Sequence, residues 1–284
     1  MEFRNLDQEK AFMKKEAKRL EITHMAAYTT YYARKLLEKL ALINNGTLVV
    51  KGSFSQYVHL GTLSRPVLDI DLSSTLSHQV PLEILFSAIY DTFSDKVSFD
   101  LATVPKQTKN GVYKLPVIAK VKYEEAKEMI VPVPIKAVEP LFEGDRKFYI
   151  NTPSFEEHIA EKLYIIAHNT REDVPNTRVK DFYDIYNLFG KDYDADKFSL
   201  YFEAMVLMYG MHLEDVNTDF LNKEFVKRHE TLWELMKKKY QFVDKSLDLS
   251  EAVFYTKAVL SEQVQKIRSG EFKNQAYALV RKKS

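Results

Sequence analysis

Asp69 and Asp71 lie in the run Val67-Leu68-Asp69-Ile70-Asp71-Leu72. Side chains alternate along a strand, so this run read as a strand places both carboxylates on one face and Leu68, Ile70 and Leu72 on the other. Two carboxylates a few ångströms apart repel unless a cation lies between them. Oxygen donors of this kind suit Mg²⁺, which is commonly held by one or two carboxylates together with substrate phosphates. In nucleotidyl transfer such ions bridge the attacking hydroxyl and the α-phosphate. Upstream, Lys51-Gly52-Ser53 follows the apolar run Thr47-Leu48-Val49-Val50 and precedes a helix predicted over 54–60. Backbone amides at such a junction, with the Ser53 hydroxyl, can cradle a triphosphate. The pair has other readings: Asp-x-Asp also occurs in surface turns and caps, and on that motif alone a metal-dependent glycosyltransferase competes.

A second group of charged residues falls on predicted helices. Ser154-Phe155-Glu156-Glu157 is a capping box, in which serine and glutamate satisfy the first free amides of a helix. Beyond it Phe155, Ile159, Leu163 and Ile166 form one apolar stripe, and Lys162 lies beside that stripe, with Glu157, Glu161 and His168 on the polar face. A lysine on the core-facing side is paired with an anion, directed into a cleft, or snorkels outward. In the next predicted helix Phe182, Ile185, Leu188 and Phe189 mark the buried stripe. Asp181 lies within it and Asp184 at its margin. An internal salt bridge to Lys162 is one reading. The other is a site in which lysine meets phosphate and an aspartate acts as base or positioner.

The remaining elements follow from periodicity and punctuation. Residues 6–44 contain no proline or glycine and read as helical, stopped by Asn44-Asn45-Gly46. Residues 81–94 form an amphipathic helix. Val117–Tyr123 and Met129–Val138 read as two strands around the polar turn Glu124–Glu128, with Pro132 and Pro134 placing the second strand at an edge. After Asn151 nearly everything reads helical, with breaks near Pro175, Gly190 and Gly270. The fold class is therefore α+β: an α/β domain with a mixed sheet and N-terminal helices over 1–150, then an all-helical domain over 151–284. There is no internal repeat and no low-complexity linker.

Composition bounds the rest. Apolar residues make up 45% of the 284 residues, with 18 Phe and 17 Tyr, which excludes a disordered chain. The absence of cysteine excludes disulfides, thiolate metal sites and cysteine nucleophiles. The charged N-terminal segment is no signal peptide and no run suits a membrane helix, so a soluble, cytoplasmic protein is expected. Net charge is +1, so any polyanion site must come from local clustering.

Taken in order, Lys51-Gly52-Ser53, Arg65-x-x-x-Asp69-Ile70-Asp71, Ala160-Glu161-Lys162-Leu163 and Arg178-Val179-Lys180-Asp181-Phe182-Tyr183-Asp184 resemble the AbiEii-type nucleotidyltransferases. These are toxins of abortive-infection toxin–antitoxin pairs used in phage defence, within the DNA polymerase β superfamily. The motifs span roughly half the chain, and the tail after residue 190 matches none. The resemblance implies a nucleotidyltransferase fold, Mg²⁺-dependent use of an NTP and a cognate antitoxin encoded nearby. For several members it also implies nucleotide addition to tRNA 3′ ends. Carried over, Gly52 and Ser53, with Lys51 and Arg65 in the same motifs, would bind the triphosphate and Asp69 and Asp71 would ligate Mg²⁺. Lys162 would contact phosphate, and Asp181 or Asp184 would complete the site. One departure stands out. Many superfamily enzymes carry a third carboxylate on a later strand, whereas Met129–Ile135 has no acid. Asp181 or Asp184 would have to substitute, or Glu128 or Glu139 reach in from a strand end, or the chain be impaired.

An RNA acceptor needs positive charge to meet its phosphates. Lys237-Lys238-Lys239, the stretch Lys266–Lys273 and Arg281-Lys282-Lys283 are the candidates, although such runs are usually solvated helix faces. Three alternatives to an RNA acceptor stay open: a protein or small-molecule hydroxyl, the chain's own Ser53, and a non-catalytic role as a nucleotide-binding partner. His59, His158 and His168 have no metal-binding spacing and read as structural or surface residues.

Overall fold

Helix α1 (Leu6–Arg19) begins where the Asn5 side chain accepts the Gln8 amide hydrogen at 2.9 Å, and α2 (His24–Ile43) begins where Thr23 does the same for Ala26 at 3.2 Å. The computed structural model describes residues 3, 5–44, 46–60, 67, 69–74, 82–90, 97–109, 112–123, 128–133, 135–138, 144–146, 151–169, 179–240 and 243–281. The single helical stretch expected over 6–44 is therefore two helices. Glu21 turns the chain with φ 52, and the threonine cap restarts it, a break that no proline or glycine announces. The chain divides into two units, Met1–Pro153 and Ser154–Ser284.

In the first unit, β1 (Leu48–Lys51) leads directly into α3 (Gly52–Leu60), followed by β2 (Ile70–Ser74) and α4 (Leu82–Tyr90). Then come β3 (Val97–Leu101), β4 (Lys106–Gln107), β5 (Tyr113–Leu115), β6 (Val117–Lys122), β7 (Glu128–Pro132), β8 (Ile135–Val138), β9 (Gly144–Arg146) and β10 (Asn151–Pro153). Asn44 fixes the start of β1: its side-chain amide donates to the Leu48 carbonyl at 2.8 Å and accepts the Leu48 N–H at 2.9 Å. Seven strands form one sheet in the order β4-β5-β8-β2-β1-β10-β9, and three form a second in the order β3-β6-β7. The larger sheet is mixed, because β1–β10 and β2–β8 run parallel while the other pairs are antiparallel.

The expected hairpin is present as β6–β7, but the predicted second strand Met129–Val138 is two strands in two sheets. β7 lies at the edge of the small sheet, where Pro132, lacking an N–H, costs no ladder bond. β8 runs between β5 and β2 in the interior of the large sheet, so the edge assignment fails for that half. Pro134 and the turn residues Glu124–Lys127 lie outside the described residues.

The core of this unit gathers Tyr32, Leu36 and Leu40 of α2, Leu48 and Val50 of β1, Ile70 and Leu72 of β2, and Val117, Ala119 and Val121 of β6. One carboxylic acid is buried with them. Glu9 of α1 is fully buried and accepts hydrogen bonds from the hydroxyls of Tyr32, at 2.7 Å, and Tyr123. Burial raises the Glu9 carboxyl above the usual carboxylate range, while the Tyr32 hydrogen bond opposes the shift.

The second unit is helical: α5 (Phe155–Asn169), α6 (Val179–Leu188), α7 (Ala195–Met208), a 3₁₀ turn (Leu213–Asp215), α8 (Lys223–Lys239), α9 (Leu249–Ser269) and α10 (Lys273–Arg281). Ser154 accepts the Glu157 amide hydrogen at 3.2 Å, the predicted cap of α5. The expected stops at Gly190 and Gly270 follow α6 and α9, and Gly270 takes a left-handed conformation. Pro175 lies outside the described residues. A further stop after α7, at Gly210, went unread in the sequence. The polar face assigned to α5 needs correction: Glu157 is fully buried, because α5 packs against both α6 and α7. Trp233 of α8 is also fully buried, its indole N–H donating to the Leu247 carbonyl at 3.2 Å. Among the described residues no helix is long and apolar enough to cross a membrane.

Candidate active site

Strand register brings the first constellation together. Lys51, the last residue of β1, lies opposite Asp71 of β2, and Asp71 in turn lies opposite Lys136 of β8. The next residue, Gly52, opens α3 with φ 66. A side chain there would overlap Asp71 Oδ2, with its Cβ 3.0 Å from Asp71 Cγ and 3.1 Å from Asp71 Cβ. The Asp71 carboxylate is thus seated against bare backbone at the start of a helix, which only glycine permits. Ser53 follows. It is 3% exposed, and its hydroxyl has no hydrogen-bond partner among the described residues. A buried hydroxyl without a partner in the first turn of a helix, beside amides that have no intrahelical acceptor, is suited to an anionic ligand.

β2 begins at Ile70, so Asp69 lies at a bend before the strand, and strand alternation does not by itself bring it beside Asp71. The apolar face is as expected: Ile70 and Leu72 are fully buried, while Asp69 and Asp71 are half-buried. Among the described residues no group of three or more His, Asp or Glu could hold a metal ion. The donor set fits Mg²⁺ in a different way. The half-buried Asp71 adjoins the phosphate-suited turn at Gly52, and Mg²⁺ is commonly held by one or two carboxylates with phosphate and water completing its coordination. On the strands flanking Asp71 there is no third acid: β1 is Leu-Val-Val-Lys and β8 is Ile-Lys-Ala-Val. Glu128 begins β7 in the smaller sheet, opposite Lys122. Glu139 and Arg65 lie outside the described residues.

The second constellation is an ion-pair cluster inside the helical unit. Lys162 of α5 is 4% exposed, and its ammonium donates to Asp184 Oδ2 at 2.6 Å and to Asp181 Oδ1 at 3.4 Å. Both aspartates belong to α6, one turn apart, and both are buried. Of the two readings of Lys162, the internal salt bridge is therefore present, and the phosphate contact rests on the resemblance alone. Arg178 lies outside the described residues. Nearby, burial raises the Tyr183 hydroxyl above its ordinary range.

His59 Nε2 donates to the Pro153 carbonyl at 2.9 Å, His158 is buried, and His168 lies 5.6 Å from the Tyr164 ring. Several lysines of the basic runs are engaged. Lys237 pairs with Glu234 at 2.7 Å, and its neighbour Lys245 donates to the Lys237 and Tyr240 carbonyls. Lys266 pairs with Glu262 at 3.3 Å and donates to the Ser199 hydroxyl at 3.1 Å. These lysines close helix ends and join α9 to α7. Lys282 and Lys283 lie outside the described residues. The lysine facing Asp71 in register, Lys136, escaped the sequence reading, since nothing local to residues 135–138 says which strands flank β8.

The chain resembles the JHP933 protein of Helicobacter pylori in structure, with 16% identity, a TM-score of 0.47, and coverage of 92% of this chain and 99% of that one. An H. pylori protein named as a candidate nucleotidyltransferase gives 17% identity, a TM-score of 0.45, and coverage of 84% and 96%. No curated protein matches the chain in sequence. A family model does: that of the nucleotidyl transferase AbiEii toxin, type IV toxin–antitoxin system, which matches residues 36–255. With most of its length inside that match, the chain belongs to the AbiEii nucleotidyl transferase toxin family.

Proposed function

We propose that this protein transfers a nucleotide from an NTP to an RNA hydroxyl, such as a tRNA 3′ end, in a Mg²⁺-dependent reaction. The observation that carries this reading is the junction of β1 and α3. There the Asp71 carboxylate is seated against Gly52, and the buried Ser53 hydroxyl has no partner among the described residues. Bound there, Mg²⁺ would neutralise phosphate charge and lower the pKa of the attacking hydroxyl, with Asp69 and Asp71 as its protein ligands.

The chain's own residues do the positioning. The first amides of α3 and the Ser53 hydroxyl hold phosphate oxygens, with Lys51 adding charge beside them. Gly52 keeps the phosphates close to Asp71, because its missing side chain leaves that space to the carboxylate. Lys162, Asp181 and Asp184 enter as a support that locks α5 to α6. Membership of a type IV toxin–antitoxin family implies an NTP substrate and a cognate antitoxin. A cytoplasmic setting, where NTP and tRNA meet, follows from the same reading.

The test is a transfer assay with each α-labelled NTP, Mg²⁺ and total tRNA, comparing wild type with Asp71→Ala. Label on tRNA with wild type alone supports the chemistry, the acceptor and the carboxylate together. Label on protein or a small molecule instead overturns the RNA acceptor. Absence of any Mg²⁺-dependent NTP binding overturns the reading of the β1–α3 junction.

A further inference from the structure

The register of the large sheet aligns charged residues that are far apart in sequence. Lys106 of β4 lies opposite Lys114 of β5, Lys114 opposite Lys136 of β8, Lys136 opposite Asp71 of β2, and Asp71 opposite Lys51 of β1. One transverse row across five strands therefore reads Lys-Lys-Lys-Asp-Lys. The adjacent row pairs Leu115 with Ile135 and Ile135 with Ile70, and all three are buried. Since neighbouring positions on a strand point to opposite faces, the row holding Lys114 and Asp71 lies on the face away from that apolar layer.

The arrangement opposes local stability. Like charges directly across a strand pair are unfavourable, yet Lys106 and Lys114 are both exposed and directly opposed. Among the described residues neither has an ion-pair or hydrogen-bond partner for its side chain. Thr108 and Val112 close the hairpin that presents them. Thr108 donates its amide hydrogen to the Val112 carbonyl at 2.8 Å, and its hydroxyl accepts the Val112 N–H at 3.1 Å. Exposed Lys109 follows Thr108 in the hairpin turn. Lysine on an edge strand also discourages pairing with another sheet. That need is met by Lys106 on β4 and does not account for Lys114, one strand further in.

We propose that the exposed Lys106 and Lys114, at the sheet-edge end of this row, form a track for the phosphodiester backbone of a single-stranded RNA acceptor, in register with Asp71. The proposal rests on the RNA-acceptor reading given above and adds the surface that receives the acceptor. With strands about 4.8 Å apart, the three steps from Lys106 to Asp71 span about 14 Å, enough for several nucleotide phosphates in line. Lysines meet phosphates as point charges, so the track carries no base preference.

The test measures binding of the full-length protein to a labelled single-stranded RNA of about 12 nucleotides, a size that one such groove accommodates, over a range of salt concentrations. For single strands each neutralised phosphate contributes about 0.7 to the slope of log K against log salt. Lys106→Ala/Lys114→Ala is expected to lower the slope by about 1.4, equally for RNAs of different sequence. Thermal shift by NTP should stay as in wild type. Lys223→Ala/Lys227→Ala, on the exposed face of α8 in the other unit, is the control and is expected to leave the slope unchanged. An unchanged slope in the hairpin variant, or an equal drop in the control, overturns the track. So does equal competition by poly-glutamate, which would mark the row as a surface for an acidic protein. Label transfer with an unaltered hairpin slope would sink the track and leave the transferase reading standing. A lowered slope with no transfer to RNA would keep these lysines as an RNA-binding surface and overturn the acceptor reading.

Discussion

Gly52→Ala separates the proposed site from ordinary backbone strain. The substitution does two things at once. It places an L-residue at φ 66, which costs about 1–2 kcal/mol for any side chain. It also puts a methyl group over Asp71 Oδ2 and 3.0 Å from Asp71 Cγ, where carbon atoms ordinarily approach to about 3.5–4.0 Å. The carboxylate must move by roughly half an ångström or more, and a misplacement near 1 Å can cost about 100-fold in rate. Gly210 supplies the control, since it has φ 69 but nothing within 4 Å of an added Cβ. Both variants should therefore lose a similar amount of thermal stability, read by circular dichroism. Only Gly52→Ala should lose nucleotidyl transfer, by about two orders of magnitude. Wild-type transfer by Gly52→Ala, with a melting temperature lowered as in Gly210→Ala, would refute the claim that Asp71 works from its seat against Gly52.

Three further outcomes follow. Asp71→Ala should abolish transfer while leaving the fold intact by circular dichroism, because Asp71 is half-buried and stands outside the apolar core; a large drop in melting temperature would instead make Asp71 structural. Lys162→Met leaves the Asp181 and Asp184 carboxylates buried without their shared ammonium, and should lower unfolding free energy in urea by about 3–5 kcal/mol; an unshifted urea midpoint would refute the support role. Glu203 of α7 is 1% exposed, its Oε1 lacks a partner among the described residues, and burial raises its pKa, with Lys273 opposing. A raised folded pKa gives stability that is full below the unfolded value of 4.5 and lost as pH rises through the folded value. Glu203→Gln should therefore be more stable than wild type at neutral pH, by roughly 1–3 kcal/mol, with the gain shrinking in acid; parallel stability-against-pH curves would count against it.

Much of this was legible before any coordinates, and the failures have physical causes. The junction at Gly52-Ser53 and the inward turn of Lys162, Asp181 and Asp184 could be read because strand parity and helical periodicity are local. The Met129–Val138 run misled because an alternating apolar pattern looks the same whether one strand continues or the chain turns into another sheet. Asp69 was placed on the strand because apolar neighbours extend the pattern beyond the hydrogen-bonded ladder. Burial of Glu157 was missed because α5 is covered on more than one side, and a single-stripe reading assumes one core face. The lysine row was illegible in principle: its members come from four strand segments, and register is a long-range property.

The clasp of Glu9 by Tyr32 and Tyr123 ties α1 to α2 and to the end of β6. The family match starts at residue 36, midway along α2. Yet the acid comes from α1, one hydroxyl from the earlier half of α2, and the other from the residue after β6. A protein shortened to begin at residue 36 would discard the carboxyl and one tyrosine, strand the second tyrosine's hydroxyl, and strip the α1 and α2 side chains from their apolar neighbours. The family match therefore begins partway through α2, after the whole of α1. Residues before the match, Met13 of α1 and Tyr32 of α2 among them, lie in the same apolar core as β1 and β2.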